Sequence, residues 1–320
     1  MKKHFCRRLV PLLIAALLTG CMKEGASAPK MPEVPAMPEA LTLDEAGVPQ
    51  LKVYSLSEEM NVQMDVETYI AGVLAGEMRN DWPEEALKAQ AILARTFVLN
   101  FIDTKESMYK GADISTDVTE AQAYAPKLVN ARVQAAVDAT RGEVVSYQGQ
   151  FANTWFHAHS GGATETAPVG LDYKENPPYI KGVPSEESED APEEVKSWSV
   201  TFTSDEVRKA ARETGVDTGE IQTITIRETG ESGRADTLLI NGQPVKAANF
   251  RVRIGADRLK STLLTDIRVE GDKITFSGRG YGHGVGMSQW GAYAMAKAGL
   301  PAEEIINHYF KGVDIVKMWS

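Results

Sequence analysis

Apolar residues recur at helical spacing in two consecutive segments, Val66 to Met78 and Pro83 to about Ile102. The segment Asn80-Asp81-Trp82-Pro83 interrupts this spacing, and Asp81 or Trp82 is expected to cap the second helix. The buried stripe predicted for the second helix contains Leu87, Ala91, Ala94 and Val98. The pattern therefore predicts two helices joined by a short turn.

The next predicted elements are a helix from about Asn130 to Thr140 and a strand from Glu143 to Tyr147. Gln148-Gly149-Gln150 is typical of a hairpin turn, and it leads into a predicted strand from Phe151 to His157. Residues 184–194 are rich in Glu, Ser and Pro. This composition predicts an acidic, exposed loop at a subdomain boundary.

From about Trp198 to Ile267 the pattern changes to short strands, with one helix near Asp205–Glu213. The strands predicted there are Ile221–Arg227, Thr237–Ile240 and Ile267–Val269, with a hairpin signal at Asn241-Gly242. We therefore predict an α+β fold. It comprises a mixed helix–sheet catalytic core (residues 51–195 and 270–320), a smaller strand-rich second subdomain (residues 196–269), and a substrate groove between them.

The first 20 residues have the pattern of a secretory signal, with four basic residues followed by a short apolar run. The run ends in Leu18-Thr19-Gly20-Cys21, which resembles a bacterial lipobox, so Cys21 is the expected site of lipidation. The alternative is an ordinary secreted protein with an unmodified cysteine. Residues 21–50 contain proline at every third position from Pro29 to Pro38, which predicts an extended tether. We expect an exported protein, anchored by lipid to the outer face of the cytoplasmic membrane or in the periplasm.

Composition narrows the choice of partner. The chain has a formal net charge of −10 at pH 7, and removal of residues 1–20, with four Lys or Arg and no acid, makes it −14. This charge and the absence of a basic stretch argue against nucleic acid as a partner. The two cysteines are Cys6 and Cys21, so the mature chain has no pair for an internal disulfide.

One carboxylic acid, Glu77, ends the first predicted helix among apolar residues. Burial there disfavours the charged form and is expected to raise the pKa of Glu77. A raised pKa suits a general acid that works near neutral pH. The alternative is a solvated charge at a helix end.

A second motif, GRGYGHGVGMSQWGAYAMAKAG, runs from Gly278 to Gly299. Its alternating glycines allow the backbone to approach a ligand closely, and Ser288 suits the N-cap of a following helix. Gly280-x-Gly282-x-x-Val285 nearly fits a dinucleotide-binding motif. A βαβ unit is not expected so near the end of the sequence, so no nucleotide cofactor is predicted.

Both motifs resemble the stage II sporulation protein D and amidase-enhancer family, over roughly Val53 to Val313. The resemblance is carried by Gly76-Glu77-Met78, Trp82-Pro83, Glu85-Ala86-Leu87-Lys88-Ala89-Gln90-Ala91, Ala94-Arg95-Thr96, Ser160-Gly161-Gly162 and Gly282-His283-Gly284-Val285-Gly286-Met287-Ser288-Gln289-Trp290-Gly291-Ala292. It implies a periplasmic or cell-wall protein that acts on peptidoglycan glycan strands. It also implies a lytic transglycosylase with Glu77 as the catalytic acid.

Cleavage of a glycosidic bond usually requires two carboxylates. A lytic transglycosylase needs one, because the C6 hydroxyl of its substrate is the nucleophile and the product is a 1,6-anhydro sugar. Glu77 would therefore serve as acid and then as base, without a cofactor. The enhancer branch of the family implies a different function, namely a non-catalytic glycan-binding protein that activates a cell-wall amidase.

The residues expected to bind substrate are Lys88, Gln90, Arg95, Ser160, Tyr281, His283, Ser288 and Gln289. Lys88, Gln90 and Arg95 are candidates for binding the sugar and its lactyl carboxylate, and salt bridging is the alternative for Lys88 and Arg95. Ser160 and Ser288 either bind sugar or cap the backbone. In the glycine-rich segment, His283 is the best candidate for touching substrate.

Metal and serine chemistry are weakly supported. His157-x-His159 on a strand would put two rings on one face, as in a metal site. No third ligand is evident, and residues 114–124 lack the cysteines that some family members carry there. We therefore expect no metal, and activity without zinc. The segments around Ser160 and Ser288 do not fit the GxSxG motif of serine hydrolases.

Overall fold

The two predicted helices are present in the computed structural model, which describes residues 31–320. Helix α1 spans Val66–Glu77 and helix α2 spans Glu84–Thr104. Asp65 caps α1 by accepting a hydrogen bond from the Thr68 N–H (3.0 Å). The helices begin and end within two residues of the predicted limits.

The predicted cap of α2 is wrong. Pro83 occupies the N-cap position and makes no side-chain hydrogen bond. Asp81 instead pairs with Arg79 (3.0 Å), and Trp82 is buried. Glu84 and Glu85 fill the first turn, where the helix dipole favours negative charge.

The other α-helices of the described residues follow in chain order. They are α3 (Ala131–Ala139), α4 (Ala167–Leu171), α5 (Glu193–Lys196), α6 (Ser204–Glu213), α7 (Ala247–Gly255), α8 (Gln289–Lys297) and α9 (Ala302–Tyr309). The prediction of one helix in the second subdomain is wrong, because α7 lies there as well as α6. In α7 the alternation Phe-Arg-Val-Arg-Ile imitates a strand, whereas Phe250 and Ile254 are one turn apart and both buried.

The strands are short. They are β1 (Thr42–Leu43), β2 (Pro49–Ser55), β3 (Met60–Asp65), β4 (Ile114–Ser115), β5 (Glu143–Tyr147), β6 (Gln150–Phe151), β7 (Phe156–His157), β8 (Trp198–Thr203), β9 (Ile224–Thr229), β10 (Ala235–Ile240), β11 (Gln243–Lys246), β12 (Leu264–Glu270), β13 (Lys273–Gly278), β14 (Met287–Ser288) and β15 (Asp314–Lys317).

These strands form separate small sheets around the helices. The order β1-β2-β3 is antiparallel with β4 parallel to β2, the order β15-β5-β6 is antiparallel, and β7 pairs in parallel with β14. The antiparallel sheets β8-β13-β12 and β9-β10-β11 are built from residues between Trp198 and Gly278. The α+β prediction is confirmed, whereas the substrate groove stays a prediction.

The predicted strand from Phe151 to His157 is wrong, because it is divided between two sheets. Strand β6 pairs with β5 through the predicted hairpin turn, in which Gln148 and Gly149 have positive φ. Strand β7 pairs with β14, at the glycine-rich motif. Between them, Thr154 turns its hydroxyl to the Leu93 carbonyl of α2 (2.8 Å).

The buried apolar residues form two hydrophobic clusters, whereas the division into two subdomains stays a prediction. One is built around α1 and α2, and the other contains buried residues from Trp198 to Phe276. Strand β13, which was predicted to belong to the core, pairs with both β8 and β12 and so shares their sheet.

The predicted signal segment and the predicted lipidation site Cys21 lie outside the described residues, as does the predicted tether up to residue 30. From residue 32 onward the chain belongs to the same compact unit as the remainder of the structure, so the folded part begins before the predicted residue 51. Leu41 and Val48 are buried there, and Ser146 donates to the Glu33 carbonyl (2.6 Å). Among residues 31–320, no helix combines the length and apolarity that a membrane crossing requires.

A buried ion pair joins the two central helices. Arg95, in the middle of α2, is fully buried and contacts Glu67 in the first turn of α1, with 2.6 Å between Nη2 and Oε2. Glu67 also accepts hydrogen bonds from the Gly142 N–H and the Trp319 indole N–H (3.0 Å each). Arg95 donates to the Glu143 carbonyl (3.0 Å). The pair thereby fixes α1, α2, the start of β5 and the C-terminal segment to one another.

Replacement of Arg95 by Ala should leave Glu67 as an uncompensated buried charge. We expect the free energy of unfolding to fall by about 3–5 kcal/mol in urea denaturation. The matched control is Arg79→Ala, which breaks the exposed pair with Asp81 and should leave stability unchanged within error. Equal, small losses in both variants would show that the buried pair does not hold the helices.

Candidate functional site

Glu77 is the last residue of α1 and is partly exposed. Its Oε1 accepts a hydrogen bond from the Ala123 N–H (2.7 Å). The Gln289 side-chain amide donates to the main-chain carbonyl of Glu77 (3.2 Å). Ala123 is 46 residues and Gln289 is 212 residues away in the sequence. The fold therefore gathers three distant segments around one carboxyl group.

The surroundings of Glu77 favour its protonated form. Burial raises the pKa of the Glu77 carboxyl above its ordinary value, while the Ala123 N–H and the Gln289 amide oppose this shift. The C-terminal end of α1 carries the negative end of the helix dipole, which further disfavours a carboxylate there. The raised pKa that was expected for Glu77 is therefore present, whereas its role as a catalytic acid stays a prediction.

Two glycines of α1 allow Ala123 to reach the carboxyl group. A Cβ on Gly76 would lie 2.8 Å from the Ala123 carbonyl carbon, and a Cβ on Gly72 would lie 2.3 Å from the Tyr124 ring. These glycines are four residues apart and so share one face of the helix. Ala123 and Gly72 were not predicted as site residues, although the glycine spacing in a helix is a visible signal of close approach.

The glycine-rich motif lies against another segment of the chain. Gly282 has φ +108°, and a Cβ there would lie 2.6 Å from His157 Cβ. Gly286 has φ +71°, and a Cβ there would lie 2.0 Å from the Trp155 carbonyl oxygen. At these positions glycine is required by contact with the segment around β7 and by the backbone conformation.

Within this motif, His283 and Tyr281 hold the backbone together. The His283 Nδ1 accepts from the Val285 N–H (3.0 Å), and burial lowers the pKa of His283 to about 3, so the ring is neutral. Tyr281 exchanges main-chain hydrogen bonds with His159 (2.9 and 3.0 Å). The side chain expected to touch substrate, His283, is thus engaged with the protein at Nδ1.

Ser288 and Ser160 meet at Glu187, a residue of the segment predicted to be an exposed acidic loop. Glu187 is largely buried, and it accepts hydrogen bonds from the hydroxyls of Ser160, Ser185 and Ser288 and from the Ser160 N–H. Ser288 also caps α8 by accepting from the Gly291 N–H (3.3 Å), as predicted. Because Gln289 follows Ser288, Glu187 fixes the start of the helix that contacts Glu77.

Arg234, in the predicted second subdomain, contacts both the segment around Ser160 and the glycine-rich motif. It is fully buried, and its guanidinium donates to the carbonyls of Ser160 (2.5 Å) and Ala163 (2.9 Å). A Cβ on Gly284 would lie 2.3 Å from Arg234 Nε, so the guanidinium lies directly against the glycine-rich motif. Neither Arg234 nor Glu187 was predicted, because no local pattern distinguishes them from surface charges.

The three candidates on α2 do not converge on Glu77. Lys88 pairs with Glu84 (2.7 Å) and Glu85 (2.9 Å), which matches the salt-bridging alternative. Gln90 is fully buried, and its amide has no hydrogen-bond partner in the described part of the chain.

Arg95 differs most from its expected role. Its partner Glu67 lies ten residues before Glu77, about 15 Å along α1. A fully buried guanidinium in an ion pair is not available to a glycan at the surface. The interhelix salt bridge, which was the alternative, is what the structure contains.

The two histidines of the His-x-His segment have different surroundings. The His157 ring lies 5.6 Å from the His283 ring, whereas His159 Nε2 lies 4.0 Å from Glu187. Burial lowers the pKa of both imidazoles. Within residues 31–320, no group of three or more His, Cys, Asp or Glu side chains is arranged to hold a metal ion.

Replacement of Glu187 by Ala should remove the acceptor that three buried hydroxyl groups share. We expect the free energy of unfolding to fall by about 2 kcal/mol, since unsatisfied buried polar groups cost about 1–3 kcal/mol. Glu186→Ala is the control, because this neighbour is exposed, and it should change stability by less than about 0.5 kcal/mol. Guanidinium denaturation measures both, and equal stability of the two variants would contradict a central role for Glu187.

Comparison with known proteins gives a consistent family assignment. Residues 56–147 match the family described as stage II sporulation protein, and residues 181–286 match a domain of unknown function. The chain is 35% identical over 255 residues to an uncharacterized protein of Brachyspira hyodysenteriae, covering 79% of this chain and 67% of that protein.

Two of the relatives have names that describe a role. Stage II sporulation protein D of Bacillus amyloliquefaciens is 30% identical over 287 residues, which cover 86% of this chain and 80% of that protein. The amidase enhancer of Bacillus subtilis is 28% identical over 293 residues, 77% of this chain but 40% of that protein. The chain therefore belongs to the stage II sporulation protein D and amidase-enhancer family.

Proposed function

We propose that this protein is a lytic transglycosylase that cleaves the MurNAc–GlcNAc bond of peptidoglycan glycan strands. One observation carries the proposal: Glu77 of the first motif is partly exposed, its carboxyl group has a raised pKa and accepts a hydrogen bond from Ala123, and its main-chain carbonyl contacts Gln289 of the glycine-rich motif. A group of this kind can be protonated near neutral pH and still reach a substrate.

In the first step, Glu77 donates its proton to the glycosidic oxygen as the bond to the anomeric carbon breaks. The leaving sugar departs with a free hydroxyl group, and positive charge develops on the ring that remains. The Glu77 carboxylate formed in this step is stabilised by the hydrogen bond from Ala123 (2.7 Å).

In the second step, the C6 hydroxyl of the sugar that carries the positive charge attacks the anomeric carbon of that sugar. The Glu77 carboxylate accepts the proton of that hydroxyl, which restores the acid and yields the 1,6-anhydro ring. No water is consumed, so atoms and charge balance within the substrate and one side chain.

The surroundings of Glu77 are consistent with a one-carboxylate mechanism. Among the described residues, the groups that shift the pKa of Glu77 include no second carboxylate. An enzyme that activates water usually needs such a partner. The internal C6 hydroxyl removes that need.

We assign substrate contacts to the side chains nearest to the start of α8. Gln289 lies against Glu77, and Tyr281 in the glycine-rich motif is partly exposed. Ser160, Ser288 and His283 position these groups through Glu187 and through the backbone. No cofactor takes part in this scheme.

The proposed function requires that the protein be exported. Glycan strands lie outside the cytoplasmic membrane, and the signal pattern with Cys21 would place the protein there by a lipid anchor. The family supports an extracellular or membrane-associated location.

A non-catalytic activator of a cell-wall amidase is the second candidate function. The likeness to the amidase enhancer of Bacillus subtilis favours it. In this alternative the protein binds glycan and stimulates a partner, and Glu77 makes no covalent change.

Glu77→Gln separates the two functions. The amide keeps the shape of the side chain but cannot supply a proton, so cleavage of purified glycan strands should fall by about 10²–10⁴-fold. Mass spectrometry of wild-type products should show anhydro-ended sugars, from strands tested with and without stem peptides. If the wild type releases no sugar and only stimulates an added amidase, or if Glu77→Gln cleaves as fast, the transglycosylase proposal is wrong.

The pH dependence of cleavage should report the Glu77 pKa. Since the acid must start protonated, the rate should fall as pH rises through its raised pKa. Gln289→Ala removes an interaction that lowers this pKa, so the alkaline limb should move to higher pH while the maximal rate falls. Gln243→Ala, a change at an exposed glutamine of β11, is the control and should leave the profile in place. If the cleavage rate of Gln289→Ala falls over the same pH range as that of the wild type, Glu77 is not the titrating group.

A further inference from the structure

A cleft of about 540 Å³ lies along the last two turns of α2, and we propose that it is a second glycan-binding site, separate from Glu77. It would bind a neutral, N-acetylated oligosaccharide and so retain the strand that is cleaved elsewhere on the protein. Only the identity of this glycan as peptidoglycan rests on the proposed function.

The position of the cleft makes it distinct from the candidate active site. Glu77 precedes the start of α2 by seven residues. Because the connection is short and Arg95 in the middle of α2 reaches Glu67 in the first turn of α1, α2 runs back along α1 and away from Glu77. The cleft is lined from Phe97 to Lys105, beyond the middle of α2. At 1.5 Å per residue, this lining begins about 20 Å and ends about 30 Å from the start of the helix.

Aromatic rings dominate the walls. Trp155 and Tyr173 meet edge to face (5.0 Å between ring centres), and Tyr147 and Tyr179 are tilted together (4.9 Å). Tyr173 is 44% exposed, a large fraction for a ring beside a tryptophan. The C–H face of a pyranose ring is apolar, and aromatic faces bury such surfaces at low entropic cost.

The polar groups of the cleft are held in place. The Asn100 amide donates to Asn153 Oδ1 (3.0 Å), and the Asn153 N–H donates to Tyr179 Oη (2.7 Å). The indole N–H of Trp155 and the side-chain amide of Gln150 bind no other group of the described residues. Fixed aromatic walls with a few free donors and acceptors are typical of small-ligand sites.

The charges select a neutral ligand. Lys105 is the one charged side chain in the lining described here, and its ammonium lies over the Phe101 ring (5.7 Å). Although the chain has a net charge of −10, no carboxylate is among the described residues that line this cleft.

A proline-rich peptide is the competing ligand, because aromatic grooves also bind such segments. Prolines lack an N–H and offer only acceptors, whereas the Gln150 amide is both donor and acceptor. Sugar hydroxyl and N-acetyl groups also both donate and accept hydrogen bonds, so they match the Gln150 amide.

Binding is tested on the full chain in detergent, in a Glu77→Gln background that prevents turnover. Titration with β-1,4-linked N-acetylglucosamine oligomers should shift the Trp155 indole N–H signal in NMR spectra, assigned by its loss in Trp155→Phe. Tyr173→Ala should weaken this response about tenfold, the effect of losing one aromatic contact. Tyr109→Ala is the matched control, since its ring stacks on Tyr54 outside the cleft, and it should leave affinity unchanged.

The outcomes are separable from the test of catalysis. Saturable shifts of Trp155 that Tyr173→Ala weakens support the site, even if the wild type cleaves nothing. If the oligomers leave Trp155 unchanged, the second site is wrong, whatever Glu77 does. The proposal is also overturned if a peptide of residues 31–38 shifts Trp155 while the sugars do not.

Discussion

The ion pair between Glu67 and Arg95 is the constraint on which the remainder of the structure depends. It is fully buried, and the attraction between the charges offsets their desolvation only because every neighbouring donor is correctly placed. Such geometry permits one axial register of α1 against α2. With the first turn of α1 fixed in this way, its last residue, Glu77, has a defined position relative to Ala123 and Gln289.

The same arrangement has a cost at the other end of α1. The pKa of Glu77 is higher in the folded chain than in the unfolded one. The stabilising contribution of its proton is therefore complete at low pH and is lost as pH rises through the folded-state pKa. Near neutral pH the fold thus holds a group that opposes folding, which is tolerable only where stability is supplied elsewhere.

Much of this could be predicted from the sequence where the signal is local. The limits of α1, the hairpin at Gln148-Gly149 and the cap at Ser288 follow from short patterns that tertiary contacts do not override. Arg95 shows the limit of this reasoning, because a guanidinium suits a buried carboxylate and a substrate carboxylate equally well. Glu187 shows another limit, since only the fold turns one residue of an acidic segment inward.

The hydrogen bonds of Arg234 connect distant segments of the chain to the candidate site. Arg234 immediately precedes β10, and its guanidinium donates to the carbonyls of Ser160 and Ala163, which are more than 70 residues earlier in the sequence. Ser160 binds Glu187, Glu187 binds Ser288, and the next residue, Gln289, contacts Glu77. The hydrogen bonds made by Arg234 and Glu187 involve a charged group and so belong to the stronger class, whereas the bond between Gln289 and Glu77 joins two neutral groups. Arg234 is therefore connected to the main-chain carbonyl of Glu77 through a continuous series of hydrogen bonds and the peptide bond between Ser288 and Gln289.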